Sequence, residues 1–335
     1  MSRYIVRRLL QAIPLLLIMT FILFVILQVM GDPLASLGGR RRLRPEDRAR
    51  LRQQLGLDKP IWVQYLIWLK NIATGNWGNS FVTRRPVTEM ILQRLPNTLL
   101  LMLTAQVVIL IFSLAFGVYS ALKQYSVLDH ALTALSFIGY SMPIFWLALM
   151  MIYIFAVNFK KWGLPYFPTG GVYNLSLVSP GQEPTRFLGI TFATIPDLIQ
   201  HMVLPIVTLS IISIASYTRY IRSCMLEVIN QDYIRTARSK GVPERAVILR
   251  HALKNASLPL VTLLGIDLPF LLGGAIVTES IFAWPGMGRL FWEHAVKSDF
   301  PLLMGILLLV STAVVFFQII TDISYAYLDP RIRYE

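Results

Sequence analysis

Charged residues are scarce in this sequence, and cysteine is almost missing from it. Asp, Glu, Lys and Arg make up only 15% of its 335 residues, whereas soluble domains carry about 25%. Apolar residues make up 55%, and the mean hydropathy is +0.59. This composition excludes an ordinary soluble domain and indicates an integral membrane protein.

The sequence lacks the residues that several kinds of functional site require. The single cysteine, Cys224, excludes an intramolecular disulfide. The four histidines are scattered, and no His-Glu-x-x-His or Cys/His cluster points to a metal site. No Gly-x4-Gly-Lys-Ser/Thr occurs, so the chain has no P-loop for ATP. The formal charge of +13 fits the positive-inside bias of membrane proteins, and we expect no nucleic acid partner.

Six apolar segments are long enough to predict membrane-spanning helices, which need about 20 residues. They cover residues 9–30, 98–122, 131–157, 202–220, 258–282 and 302–325. The first follows a basic start as a signal peptide does, but it exceeds a signal core of roughly 7–15 residues. We expect it to remain as a transmembrane helix.

The distribution of Lys and Arg predicts the topology. They cluster at the N-terminus, in the loop after the fourth span and in the tail, which an even number of spans puts on one side. The segment 31–96 is also rich in Arg, but a loop of about 60 residues crosses the membrane largely regardless of its charge. We therefore expect both termini in the cytoplasm.

Two external segments differ in character. Residues 31–96 predict two helices, one from Pro45 and one over 60–72. The second carries three aromatic residues at three-residue steps: Trp62, Tyr65 and Trp68. They suit either a helix lying at the membrane interface or packing against span ends, and both interpretations stand. The segment 158–200 is rich in Pro and Gly and predicts an irregular loop.

Residues 232–256 form a charged island between two apolar segments. The pattern predicts a helix over 225–240, an αL stop at Gly241 and a new helix starting at Pro243. Positive-inside anchoring explains Arg219 and Arg222, but it does not explain a broken helical pair this far from the membrane. We therefore expect a protein to dock on this loop.

The island resembles the EAA loop of ABC-importer permeases, Glu-Ala-Ala-x3-Gly-x9-Ile-x-Leu-Pro. Three residues match that motif, and four depart from it. The matches are Ala237, Gly241 and Leu253, and the departures are Arg235, Thr236, His251 and Lys254. The departures resemble the peptide/nickel subfamily, in which Asp-Tyr-Ile-Arg-Thr-Ala-Arg-x-Lys-Gly and His-Ala-Leu-x-Asn-Ala are usual.

Further segments that are similar to this subfamily cover nearly the full length: 4–14, 31–33, 55–60, 139–146, 279–289 and 329–333. The chain most resembles the first permease subunit of dipeptide and oligopeptide importers. The resemblance implies an all-α integral membrane protein with six transmembrane helices of the type I ABC importer permease fold. It also implies a helical external insertion after the first span.

The resemblance implies three parts of the chain and a set of partners. The parts are an N-terminal segment with the first span (1–30), an insertion that contacts a binding protein (31–96) and a permease core (97–335) whose coupling loop covers about 223–256. The partners are a second homologous permease, two cytoplasmic ABC ATPases, an extracytoplasmic binding protein and a peptide, in a bacterial inner membrane. ATP and Mg would be bound by the ATPases, so we expect neither a cofactor nor a catalytic residue in this chain.

The resemblance also assigns roles to particular residues. The coupling residues are Arg235, Thr236, Ala237, Arg238, Lys240, Gly241, Glu244 and Arg245. The residues for contact with the binding protein are Arg41, Arg44 and Asp58.

Ionisable and polar residues inside the spans are candidates for a translocation path or gate. These are Asp267, Glu279, Ser141 and Ser213. Asp267 suits an interhelical hydrogen bond as well as a path, and Glu279 suits a gate or the support of the Trp284 turn. Nickel chelates and glutathione-like compounds stay open as substrates. A channel and a secondary transporter are weaker alternatives, because a channel needs no docking pair and a secondary transporter works without an ATPase. A membrane enzyme is a weaker alternative because the isolated His and carboxylate residues form no catalytic cluster in the sequence.

Overall fold

The computed structural model describes residues 2–30, 45–54, 56–178 and 184–328. Its helices before the hairpin are α1 Ser2–Met30, α2 Pro45–Gln54, α3 Ile61–Ala73, α4 Val87–Leu122, α5 Val127–Ser141, α6 Ile144–Met151 and α7 Phe159–Lys161. A π-helical stretch, Ile152–Asn158, joins the last two. A two-stranded antiparallel hairpin follows, with β1 Thr185–Phe187 and β2 Ile190–Phe192.

The regular elements among the described residues of the second half are all helices. It contains α8 Ile195–Ile229, α9 Asp232–Ser239, α10 Glu244–Ala246, α11 Leu253–Ala256, α12 Leu258–Asp267, α13 Phe270–Gly273, α14 Ile276–Ile281, α15 Met287–Ala295 and α16 Phe300–Leu328. A π-helical stretch, Val247–Ala252, joins α10 and α11.

Six helical stretches among the described residues are long and apolar enough to cross a membrane. They are Arg7–Val29, Val87–Leu122, Ile144–Lys161, Ile195–Ile229, Leu263–Ile281 and Phe300–Ser324. The six predicted spans are thus confirmed, with changed bounds. The fourth is much longer than 202–220, because Thr194 caps α8 by accepting the Asp197 N–H at 3.3 Å and the helix continues past the apolar stretch.

Two of the expected continuous spans are broken. The segment predicted over 131–157 divides between α5 and α6, because Pro143 has no N–H and Met142 before it is extended, with φ −80° and ψ 128°. The segment over 258–282 divides into α12, α13 and α14, with Gly274 at φ +76° before the last of them. The helix predicted over 225–240 is also wrong, because α8 ends at Ile229 and α9 begins at Asp232.

Polar contacts define two ends of the helical bundle. At one end Arg8 of α1 pairs with Asp322 of α16 at 3.2 Å, and Arg222 of α8 pairs with Asp129 of α5 at 3.0 Å. We call this the basic end, and α9 follows α8 there. At the other end, the loop end, the Asp299 carboxylate before α16 accepts from the Phe81 N–H at 2.8 Å.

The long helices α4 and α8 pack closely together along the bundle. A Cβ at Gly117 of α4 would lie 2.7 Å from the Cβ of Ile221, so only glycine fits this approach. Small residues at such crossings are typical of membrane helices, whose association depends on close packing.

The aromatic residues of α3 pack against the bundle. Tyr65 is buried, its ring lies edge-on to Phe24 at 5.7 Å, and its hydroxyl lies 2.9 Å from that of Thr20. Trp68 stacks on Tyr65, whereas Trp62 is exposed. Packing against the first span therefore explains Tyr65 and Trp68, but not Trp62.

Candidate functional site

The charged island is a helical pair seated on the basic end of the bundle. Ile234 of α9 is fully buried and joins a core with Ile221 and Met225 of α8 and Val247 after α10. Burying one such side chain contributes about 1.5–3 kcal/mol. The pair is therefore packed onto the bundle through buried apolar contacts.

Gly241 ends α9 as predicted. Its φ is +73°, its N–H donates to the Arg238 carbonyl at 3.0 Å, and the Val242 N–H donates to the Ala237 carbonyl at 3.3 Å. These two bonds make a Schellman motif, which satisfies the last carbonyls of the helix. A Cβ on Gly241 would meet nothing within 4 Å, so the residue stands at an open surface.

An ion pair joins the two helices across this turn. Arg238 donates from Nε to Glu244 Oε2 at 3.1 Å and from Nη2 to Glu244 Oε1 at 2.7 Å. The hydrogen bonds from Arg238 lower the pKa of the Glu244 carboxyl, and those to Glu244 raise the pKa of Arg238. A second link, which the sequence did not predict, runs from Asn255 Nδ2 to the Tyr233 hydroxyl at 2.9 Å.

The eight predicted coupling residues divide into two groups. Ala237 is 8% exposed and packs inward, and Arg238 and Glu244 bind each other. The remaining five lie at the exposed surface: Arg235, Thr236, Lys240, Gly241 and Arg245. Arg235, Lys240 and Arg245 make this surface basic.

Asp267 makes the interhelical hydrogen bond that the sequence suggested as one of its two interpretations. The Tyr217 hydroxyl of α8 donates to Asp267 Oδ2 of α12 at 2.5 Å. Both residues come from apolar spans, where a polar side chain needs such a partner.

Glu279 lies at the centre of a buried cluster near the loop end. Its Oε1 accepts from the Thr98 hydroxyl of α4 at 2.9 Å, and its Oε2 accepts from the Arg289 N–H at 3.0 Å. Thr98 Oγ1 in turn accepts the Met287 N–H at 2.7 Å. A Cβ on Gly286 would collide with this carboxylate. Glu279 is 0% exposed and supports the turn around residues 284–286, one of its two expected roles.

The remaining candidates for the translocation path, Ser141 and Ser213, have different surroundings. Ser141 is the last residue of α5 and lies exposed in an open surface groove at the break before α6. Ser213 is half-buried on α8.

Of the residues predicted to contact a binding protein, Arg41 and Arg44 lie outside the described residues, and Asp58 is exposed after α2. A buried cluster next to this region was not predicted from the sequence. Asp299 is fully buried and binds the Phe81 N–H, the Ser80 hydroxyl at 2.5 Å and His294 Nδ1 at 2.7 Å. Burial raises the pKa of Asp299, but the hydrogen bonds from His294, Ser80 and Phe81 together lower it by more. The pKa of Asp299 therefore lies below its ordinary value.

Comparison with known families accounts for this architecture. Residues 113–334 match the family model described as binding-protein-dependent transport system inner membrane component, and residues 1–104 match the model of the N-terminal region of such components. The chain belongs to this transport family. It is an inner membrane component, and its described residues include six helices apolar enough to cross a membrane, so it is a multi-pass membrane protein.

Named relatives of this membrane component align with it from end to end. The oligopeptide transport system permease protein AppB of Bacillus subtilis (strain 168) is 44% identical over 336 residues, which cover 100% of both chains. The dipeptide transport system permease protein DppB of Escherichia coli (strain K12) is 38% identical over 342 residues, again with 100% of both chains covered. The di/tripeptide transport system permease protein DppB of Pseudomonas aeruginosa (strain UCBPP-PA14) is also 38% identical at the same coverage.

Proposed function

We propose that this membrane component is a permease subunit of an ATP-driven ABC importer for dipeptides or oligopeptides. The observation that carries the proposal is the full-length similarity to relatives whose names specify oligopeptide and dipeptide transport. The chain would form half of a translocation channel, and a second homologous permease would form the other half.

The helical pair α9–α11 is the coupling element in this proposal. Its exposed basic residues, Arg235, Lys240 and Arg245, would contact a cytoplasmic ATPase together with Thr236 and Gly241. Ala237 and the Arg238–Glu244 pair would hold the surface in shape, because they face inward or bind each other. The buried contacts of Ile234 with Ile221 and Met225 of α8 would transmit movement of the ATPase to the spans.

The remaining partners follow from the same assignment. The chain has no P-loop, so ATP and Mg would be bound by two ATPase subunits, and this chain would itself catalyse no reaction. A binding protein outside the membrane would contact the insertion 31–96, including Arg41, Arg44 and Asp58. The basic end would face the cytoplasm with both termini, in line with its Lys and Arg content.

For the substrate path, Ser141 is the candidate that the surroundings favour. It adjoins a break in a span and an open groove. Unpaired backbone at membrane depth is tolerated only where it is covered by protein or lines a water-filled space. Ser213 remains a second candidate for the path. Asp267 and Glu279 would instead hold helices together, since each binds a neighbouring element.

Purification tests the proposed assembly, and reconstitution tests its activity. The tagged full-length chain would be isolated in mild detergent, and its partners would be identified by mass spectrometry. We expect a second permease and two ATPases, and ATP-driven uptake of a labelled dipeptide when the assembly and a binding protein are placed in proteoliposomes. Recovery of the chain without any ATPase would contradict the importer assignment. Assembly without peptide uptake would contradict only the substrate class.

A further inference from the structure

A polar pocket lies between α4, α5 and α8 at the basic end. Its volume is about 220 Å³, and its polar lining consists of Ser120, Thr133, Ser136, Thr218, Arg219 and Arg222. Arg222 also pairs with the Asp129 carboxylate. Two guanidinium groups against one carboxylate leave a positive charge in excess, which favours an anion.

Two buried donors at this pocket have no acceptor within the described part of the chain. They are the Thr218 hydroxyl and the Nε of Arg222, and Thr218 is only 5% exposed. Thr104 and Thr208, which also lie on α4 and α8, each bond to the carbonyl four residues earlier. A buried donor without a partner is costly, so an acceptor-rich group in the pocket would be stabilised.

The neighbouring Arg219 is held in place by aromatic rings. Its guanidinium lies 5.3 Å from the ring centre of Phe137 and 5.2 Å from that of Tyr140. These contacts orient the cation beside the pocket without neutralising it, because neither ring carries a charge.

An apolar cavity of about 400 Å³ adjoins the polar pocket, and both are lined by Leu132, Ser136 and Thr218. It extends between α4, α5, α6 and α8, away from the arginines, and most of its lining is apolar, as at Phe116, Leu135 and Met151. The charged pocket at the basic end is thus continuous in its lining with an apolar cavity inside the bundle.

We propose that this pair of cavities binds one anionic phospholipid, with its phosphate in the polar pocket and an acyl chain in the apolar cavity. Basic pockets between membrane helices recognise lipid phosphates in this way. A peptide is less suitable, because its amide groups would find few partners in the apolar cavity. Assignment to the cytoplasmic leaflet rests on the proposed orientation, whereas lipid binding itself does not.

Native mass spectrometry of the intact transporter tests the proposal. Phosphatidylglycerol and phosphatidylcholine with the same acyl chains would be titrated onto wild type, Thr218→Val, Arg219→Gln and the control Lys123→Gln. Lys123 is exposed at the same end and loses the same charge as Arg219. We expect preferential binding of phosphatidylglycerol, weakened about fivefold by Arg219→Gln and roughly tenfold by Thr218→Val. Lys123→Gln should have no effect.

Thr218→Val preserves side-chain shape and removes a buried hydroxyl that has no partner within the described part of the chain, so its melting temperature should not fall. Equal binding of the two lipids, or equal weakening by Lys123→Gln, would overturn the proposal. Displacement of the lipid by a dipeptide would also overturn it, because the pocket would then belong to the substrate path. If the wild-type assembly binds the lipid as expected but transports no peptide, that result would count against the proposed function alone.

Discussion

Arg238 binds Glu244 through two hydrogen bonds, of 3.1 and 2.7 Å, across the turn that Gly241 makes between α9 and α10. The pair links α9 to α10 beside the proposed coupling residues Arg235, Lys240 and Arg245. Both side chains are about half exposed, at 40% and 54%, so solvent screening limits the contribution of the pair to about 1 kcal/mol.

Breaking this pair should loosen the turn without unfolding the protein. We expect Glu244→Gln to speed amide hydrogen exchange across α9 and α10 by about two- to fivefold, which corresponds to about 0.5–1 kcal/mol. Arg238→Gln should have the same effect, and the double variant should add little, because the two residues share one interaction. Fully additive effects would mean that the pair does not act as a unit.

The same pair gives a pH dependence of known sign. Because the folded pKa of Glu244 is lowered, its stabilising effect is present above the ordinary Glu pKa of about 4.3 and is lost as the pH falls through the lower folded value. The exchange difference between wild type and Glu244→Gln, corrected for intrinsic rates, should be constant from neutral pH down to about pH 5. It should shrink below about pH 4. A difference that grows on acidification would contradict this.

A negative charge at Gly241 should uncouple transport. Asp and Asn both tolerate the left-handed backbone that this position requires, and space is available for either side chain. We expect Gly241→Asp to insert normally and to lower ATP-driven peptide uptake about tenfold or more, because it changes the charge of a basic docking surface. Gly241→Asn, the neutral isostere, should keep most of the uptake. Unchanged uptake in Gly241→Asp would reject the coupling assignment.

Glu279 should matter for stability more than any exposed carboxylate nearby. In Glu279→Gln the side-chain NH₂ must face either the Arg289 N–H, which is a donor, or the Thr98 hydroxyl, which already accepts the Met287 N–H. We expect a loss of about 1–3 kcal/mol, measured as a lower melting temperature in detergent. Glu293→Gln breaks only a partly exposed pair with Arg289 and should cost less than about 1 kcal/mol. Equal losses in the two variants would contradict the buried role of Glu279.

The Tyr217–Asp267 bond should be structural, with little direct effect on transport. Tyr217→Phe removes the donor and should cost about 1–3 kcal/mol, because Asp267 loses a hydrogen-bond partner within an apolar span. Asp267→Asn keeps an acceptor for Tyr217, so we expect near-normal stability and near-normal peptide uptake. A strong loss of uptake in Asp267→Asn at normal stability would return Asp267 to the substrate path.

The sequence predicted the features that depend on local chemistry. Long apolar segments indicated six spans, and Gly241 predicted the end of α9, because both signals come from neighbouring residues. The break at Met142 was not predicted, because a proline inside an apolar segment, such as Pro143, can either kink a helix or end it.

Contacts between distant segments could not be read in this way. The buried role of Asp299 could not be predicted, because its partners Ser80 and Phe81 lie more than 200 residues away in the chain. Ala237 matched a motif, but only the packing on α8 shows that it faces inward. The roles of Asp267 and Glu279 stayed open for the same reason, since their partners lie on other helices.

Cross-linking tests the central claim, contact between α9–α11 and an ATPase. In a Cys224→Ser background, a single cysteine at the exposed position 240 would be treated with a short thiol–amine cross-linker in the assembled transporter. The control cysteine would replace Lys297, which is also exposed but lies beside Asp299 at the loop end. Cross-links to an ATPase from Lys240→Cys, and none from Lys297→Cys, are the predicted result. Absence of ATPase cross-links from position 240, or equal yields from both positions, would contradict the claim.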